Sequence, residues 1–164
     1  MDSKVLNFAL IGCGRIAKRH SELLGNDEIK GGCLVAVCDV NIDRAKRIAD
    51  KFLVPFYDDF HKMMKEETID VVVVLTHSGN HADIVIQLAK YRKHIVVEKP
   101  MALTLNDADR MIYACDKNSI KLFVVKQNRF NLPVIKLREA LDQQRFGRIN
   151  LGTVRVRWCR PQEY

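Results

Sequence analysis

Residues 5–17 read VLNFALIGCGRIA, and their reading decides the fold. The first seven are apolar enough for a strand covered on both faces, and they run straight into Gly12, Cys13 and Gly14. Arg15, Ile16 and Ala17 then open an amphipathic stretch. Strand, GxGxxA turn and helix, in that order, form the setting in which this spacing has a mechanical purpose. Gly12 permits the tight turn, Gly14 lets the backbone approach a pyrophosphate, and small Ala17 lets helix and strand pack closely. The start of the helix presents free N–H groups to the phosphates. Gly12, Cys13, Gly14, Arg15 and Ile16 are therefore candidate dinucleotide ligands. The bland alternative is a glycine-rich turn with no ligand.

Working outward, the chain alternates short apolar runs with longer amphipathic stretches. Strands are predicted at 5–11, 33–39, 70–76, 94–98 and 121–125, with helices at 15–25, 43–53, 59–66, 80–92, 105–118 and 131–145. Such alternation predicts an α/β fold, a Rossmann-type doubly wound parallel sheet with helices on both faces. Asn106, followed by Asp107 and Asp109, reads as the N-cap of its helix. The pattern changes after the turn at Phe146, Gly147 and Arg148. There INLGTVRVRW alternates Val154, Val156 and Trp158 against Arg155 and Arg157, as in a strand with one wet face. The expected domains are 1–146, binding a dinucleotide, and 147–164, the first strand of a truncated second α+β domain. An open edge and an apolar face at Asn150–Trp158 predict self-association, and a homo-oligomer is expected.

Composition narrows the function classes. The 164 residues are 48% hydrophobic and 29% charged, as in a globular domain, with no apolar run near the roughly 20 residues of a membrane span. Met1–Asn7 carries no signal-peptide pattern, so a cytoplasmic location and no membrane partner are expected. The net charge of +7 is spread along the chain, mostly on helices, which fits a solvated surface and not a nucleic-acid footprint. Five cysteines, Cys13, Cys33, Cys38, Cys115 and Cys159, show no CxxC pairing and read as small apolar fillers.

Two strand ends carry candidate chemistry. Asp39 closes the second strand, where a carboxylate accepts hydrogen bonds from ribose hydroxyls and repels a 2′-phosphate, favouring NAD over NADP. Arg44 lies near enough in sequence to weaken that preference, and an Asp capping the next helix is the simpler alternative. HIVV at 94–97 passes directly into Glu98, Lys99 and Pro100. A surface salt bridge is the structural reading of that pair. His77 and His81 suggest a metal pair but lack a third ligand of matching spacing, so no metal site is expected. His20, His61 and His94 have no constellation and read as structural or solvated.

With GCGRIA, VVVVLTHSGNHADI, EKP and KLFVVKQNRF all in this order, the chain resembles the Gfo/Idh/MocA oxidoreductases. Those are two-domain, nicotinamide-dependent sugar and inositol dehydrogenases. More narrowly, CDKNSIKLFVVKQNRFN and RFGRINLGTVRVRWCRPQEY are similar to the subgroup oxidising C3 of UDP-N-acetylglucosaminuronic acid in surface-polysaccharide synthesis. The resemblance implies NAD as cofactor, a nucleotide-sugar or sugar substrate, and Lys99 as the catalytic residue beside the nicotinamide and the reacting hydroxyl. An ammonium there stabilises developing alkoxide charge and relays a proton if its pKa is lowered. Pro100 would aim it, often through a cis bond in relatives, and Glu98 would sit near the nicotinamide ribose. Thr76, Ser78, Asn80 and His81 match the family's cofactor loop, although His77 stands where relatives usually place Pro. Gln127 carries over to the cofactor, and Asn128 and Arg129 to an acidic substrate, with an exposed helix-start Arg as the alternative. The family's catalytic His and partner acid fall in a second domain past Tyr164. This implies the cofactor portion of a longer enzyme, without turnover alone. The competing readings are another sugar or polyol dehydrogenase of the family and a non-catalytic nucleotide-binding module.

Overall fold

The computed structural model describes residues 5–159 and 161–162. Six strands, β1 (Leu6–Ile11), β2 (Gly32–Cys38), β3 (Phe56–Tyr57), β4 (Val71–Val74), β5 (His94–Val97) and β6 (Leu122–Val124), form one sheet in the order β3-β2-β1-β4-β5-β6. Every pairing is parallel. Helices α1 (Ala17–Gly25), α2 (Ile42–Phe52), α3 (Phe60–Glu66), α4 (His81–Ala89) and α5 (Leu105–Lys117) connect them. The doubly wound reading of the sequence is the fold observed.

The central strand β4 explains why two helical layers are needed. All four of its valines are buried, and Val72, Val73 and Val74 alternate between two separate cores. Val72 and Val74 join Ala9, Ile11, Ile95 and Val97 against Met63 of α3, Val85 and Leu88 of α4, and Met111 and Cys115 of α5. Val73 joins Leu10 and Val37 against Ala17 and Leu24 of α1 and Ala45 and Ala49 of α2. Burying each such aliphatic side chain contributes about 1.5–3 kcal/mol. Small Ala17, Ala45 and Ala49 let their helices lie close to the sheet.

The chain divides into two compact units, Met1–Val125 and Lys126–Tyr164. The second holds a short 3₁₀ turn (Gln127–Phe130) and α6 (Leu132–Asp142). Four sequence expectations need correction. Residues 151–159 form no strand, because an extended segment needs a neighbouring strand for its N–H and C=O groups, and none pairs with it among the described residues. β3 is a strand the sequence did not announce, since two residues are too short to show a period. The cap of α5 is Thr104, not Asn106: its Oγ1 accepts the Asp107 N–H at 3.1 Å. Of the cysteines, Cys13, Cys38 and Cys115 are buried fillers, but Cys33 is partly exposed and Cys159 exposed.

Candidate active site

Register alone assembles the site. Ile11 pairs with both Cys38 and Val74, and Val74 pairs with Val97. The residues that follow, Gly12, Asp39, Leu75 with Thr76, and Glu98, therefore emerge along one carboxyl-terminal edge of the sheet. The strand order reverses between β1 and β4, which is where open parallel sheets leave a crevice for a ligand.

At this crevice the glycine turn is packed against its neighbour strand. Gly12 has φ +95°, and a Cβ there would stand 2.8 Å from the Leu75 carbonyl carbon and 2.9 Å from Thr76 N. A Cβ on Gly14 would meet nothing within 4 Å, so the space above that residue is open. Helix α1 begins without a side-chain cap on Ile16, leaving its first turn suited to an anion. Nearby, the buried Oγ1 of Thr76 has no hydrogen-bond partner, an unusual condition for a buried hydroxyl unless a ligand group completes it. An open glycine, an uncapped helix start and an orphaned hydroxyl together fit a dinucleotide.

Asp39 does more than end a strand. Its carboxylate accepts the Cys13 N–H at 2.6 Å and the Asn41 N–H at 2.8 Å. It thus ties the glycine turn to the start of α2, whose own cap is Asn41. Cys13 N–H is committed to this bond, and its thiol points to the Cys38 carbonyl, so Cys13 shapes the loop from within. Burial first, then the Asp39 and Cys38 charges, push that thiol up to about 12. It stays neutral and adds no negative charge beside the glycine turn.

The Glu98-Lys99-Pro100 turn lies on the same edge, with a cis Lys99–Pro100 bond. No Glu98–Lys99 salt bridge forms. Glu98, 8% exposed, accepts the Lys99 backbone N–H at 3.0 Å and faces His20 Nε2 at 3.1 Å. The Lys99 side chain is exposed and its ammonium has no partner among the described residues. A cation left free at a ligand crevice is available to whatever enters.

Residues 6–126 match an oxidoreductase family defined by an NAD-binding Rossmann fold, Gfo/Idh/MocA. The chain belongs to that family. Two solved relatives are similar over nearly all of it: the WlbA dehydrogenase of Bordetella pertussis, in complex with NADH and UDP-GlcNAcA, at 38% identity and TM-score 0.91, and that of Chromobacterium violaceum, with the same ligands, at 37% and 0.92. They are covered over 98% and 100% of this chain but 49% and 47% of their own. A myo-inositol 2-dehydrogenase of Thermotoga maritima is 35% identical over 144 residues, 87% of this chain and 42% of its own. The chain thus spans about half the length of these relatives or less.

In this Gfo/Idh/MocA chain the remaining candidates separate. Ser78 and Asn80 lie in a 3₁₀ turn (Ser78–Asn80) at the crevice edge that follows β4. His81 turns inward: its Nδ1 is 2.9 Å from the Pro100 carbonyl and its Nε2 3.1 Å from that of Thr76. Both nitrogens face backbone carbonyls, and at least one of them donates. Arg15 and Ile16 are exposed at the start of α1. Gln127, Asn128 and Arg129 are exposed in the 3₁₀ turn of the second unit, where Asn131 Nδ2 donates to Asn128 Oδ1. The three histidines read as lacking a constellation all have partners: His20 meets Glu98, His61 meets Tyr91 and Gln87, and His94 accepts the Lys121 N–H. His20 and Glu98 are 78 residues apart, a separation that only the fold closes.

Proposed function

We propose that this chain is the cofactor-binding portion of an NAD-dependent dehydrogenase that oxidises the C3 hydroxyl of a UDP-linked N-acetylated hexuronic acid for surface-polysaccharide synthesis. The observation that carries the proposal is the unpartnered Lys99 ammonium on the edge shared by Gly12, Asp39 and Thr76. When bound, NAD supplies the hydride acceptor. The chain supplies binding and charge. Gly14 and the start of α1 hold the pyrophosphate, and Asp39 excludes a 2′-phosphate. Thr76, Ser78 and Asn80 line the loop over the cofactor, with Glu98 assigned to its nicotinamide side; in the second unit, Gln127 is carried to the cofactor by the family resemblance alone. Lys99 donates a hydrogen bond to the sugar oxygen, stabilising negative charge where it develops. Asn128 and Arg129 offer the amide and guanidinium suited to a uronate carboxylate. A cytoplasmic homo-oligomer belongs to the same proposal.

The nucleotide sugar is preferred because both WlbA dehydrogenases are similar over 98–100% of this chain, and so over most of the segment after Lys126, at 37–38% identity. The inositol dehydrogenase, at 35% over 87%, keeps a polyol as the second reading. NADH formation by the native protein separates them. UDP-N-acetylglucosaminuronic acid is expected to give a kcat/KM at least about 100-fold above myo-inositol or free sugars. The reverse order makes the enzyme a polyol dehydrogenase, and NAD binding without NADH from any of these substrates makes the chain a binding module. The 164-residue chain by itself is expected to bind NAD without turnover.

A further inference from the structure

The turn that carries Lys99 is held on both flanks by histidines. On one side His20, in the first turn of α1, reaches Glu98 Oε1 at 3.1 Å, while Glu98 Oε2 accepts the Lys99 N–H at 3.0 Å. On the other side His81, 1% exposed at the start of α4, lies 2.9 Å from the Pro100 carbonyl and 3.1 Å from that of Thr76. The residues immediately before and after Lys99 are thus each tied by an imidazole to an element bearing candidate cofactor residues. Those elements are the helix behind the glycine turn and the loop that begins at Thr76.

We infer that His20 and His81 are positioning residues that fix the backbone of Lys99 relative to the bound dinucleotide. The inference rests on the reading of Lys99 given above. Lysine has a long flexible side chain, so the direction in which its Cα–Cβ bond leaves the backbone limits where the ammonium can go. A turn free to rock would spread the ammonium over several ångströms, whereas productive geometry requires placement within about 0.5 Å. Packing alone does not account for the residue types. An apolar side chain of similar volume would fill the His81 site, but it would leave the Thr76 and Pro100 carbonyls unbridged. Those carbonyls accept only, so the ring is the donor: a neutral imidazole serves one at a time, the imidazolium both.

The test reads Lys99 directly. Lysines of the 164-residue chain are dimethylated with isotope-labelled formaldehyde, which keeps their charge, and the Lys99 resonance is identified by its loss in Lys99→Arg. Spectra are taken with and without NAD, at a concentration that titration shows to saturate each variant. NAD is expected to shift the Lys99 resonance of the native chain. In His20→Phe and His81→Phe the shift should fall to less than half. It should return in His20→Gln, whose amide nitrogen replaces Nε2, and in His81→Asn, whose amide nitrogen replaces Nδ1 towards Pro100. A merely structural histidine would alter stability and leave the shift intact, so a native-size shift in the Phe variants overturns the inference alone. A Lys99 resonance that ignores NAD in the native chain overturns the Lys99 reading, and the inference with it. If buried His81→Phe fails to fold, the partly exposed His20 decides, since its side chain is 21% accessible.

Discussion

At the residue scale, two glycines two positions apart perform different tasks, and their surroundings say which. A Cβ on Gly12 would strike the Leu75 and Thr76 backbone at 2.8–2.9 Å, at a φ of +95°. Neither neighbour is a flexible side-chain end that could yield. Gly12→Ala is expected to cost at least about 2 kcal/mol of stability, from positive-φ strain and collision together, read as a lower urea midpoint. Gly14→Ala meets nothing within 4 Å, so stability should stay within about 1 kcal/mol. Its methyl group would instead occupy the space through which the backbone meets a pyrophosphate. NAD affinity should fall at least about tenfold, or 1.4 kcal/mol, by calorimetric titration. Unimpaired binding by Gly14→Ala would place the phosphates elsewhere. Both glycines and their separate roles were legible from spacing; the crowding that enforces Gly12 was not, because it comes from the Leu75 and Thr76 backbone just after β4.

At the element scale, helix ends show where local chemistry and geometry agree or conflict. Thr104 begins α5 in an extended conformation, and its Oγ1 accepts from Asp107 N–H and donates to Asp107 Oδ2. Thr104→Ala should lower stability by about 1 kcal/mol. Helix α2 ends less favourably. Leu53 adopts a left-handed conformation, φ +54°, to close the helix with its N–H on Ala49, and its side chain is 92% exposed. Nothing apolar is buried there to offset the strain, so Leu53→Gly should raise stability by about 1 kcal/mol. Chemical denaturation of both variants checks the pair, and a destabilised Leu53→Gly would mean that the leucine packs in a way its exposure conceals. The same local reasoning explains what could be read from sequence. Runs such as VVVV at 71–74 are long and apolar on both faces, so β4 was evident. Phe56 and Tyr57 pair over only two positions, too few for periodicity to register. Val154, Val156 and Trp158 alternate as a strand does, yet alternation describes a side-chain pattern and supplies no neighbouring backbone. The Glu98–His20 bond and the His81 bridge were illegible for a related reason: each joins helices and turns that only the parallel crossovers bring together.

At the scale of the molecule, the cofactor ligands proposed in Met1–Val125 come from three strand ends and one helix start, so a bound dinucleotide would tie separate crossovers together. Binding to the folded state alone stabilises by about 2.7 kcal/mol when the ligand stands at about 100 times its Kd. For a chain of this length that corresponds to roughly 5–10 °C in melting temperature. The identity of the dinucleotide should matter through Asp39. Its carboxylate is 8% exposed and fixed by two backbone N–H groups, so it cannot swing away from a 2′-phosphate without releasing both. Unit charges about 4 Å apart at an effective dielectric near 20 repel by about 4 kcal/mol, and a counter-charge such as Arg44 would have to cancel that for NADP to bind equally. Helix α2 does not orient Arg44 for this through Asp39: no ion pair joins the two among the described residues. NAD is therefore expected to raise the melting temperature by several degrees at a concentration where NADP raises it by less than about 2 °C. Circular dichroism scans in matched concentrations of the two decide the matter. Equal shifts would mean that the Asp39 carboxylate serves only to fasten Cys13 and Asn41, and that cofactor choice is made by other residues.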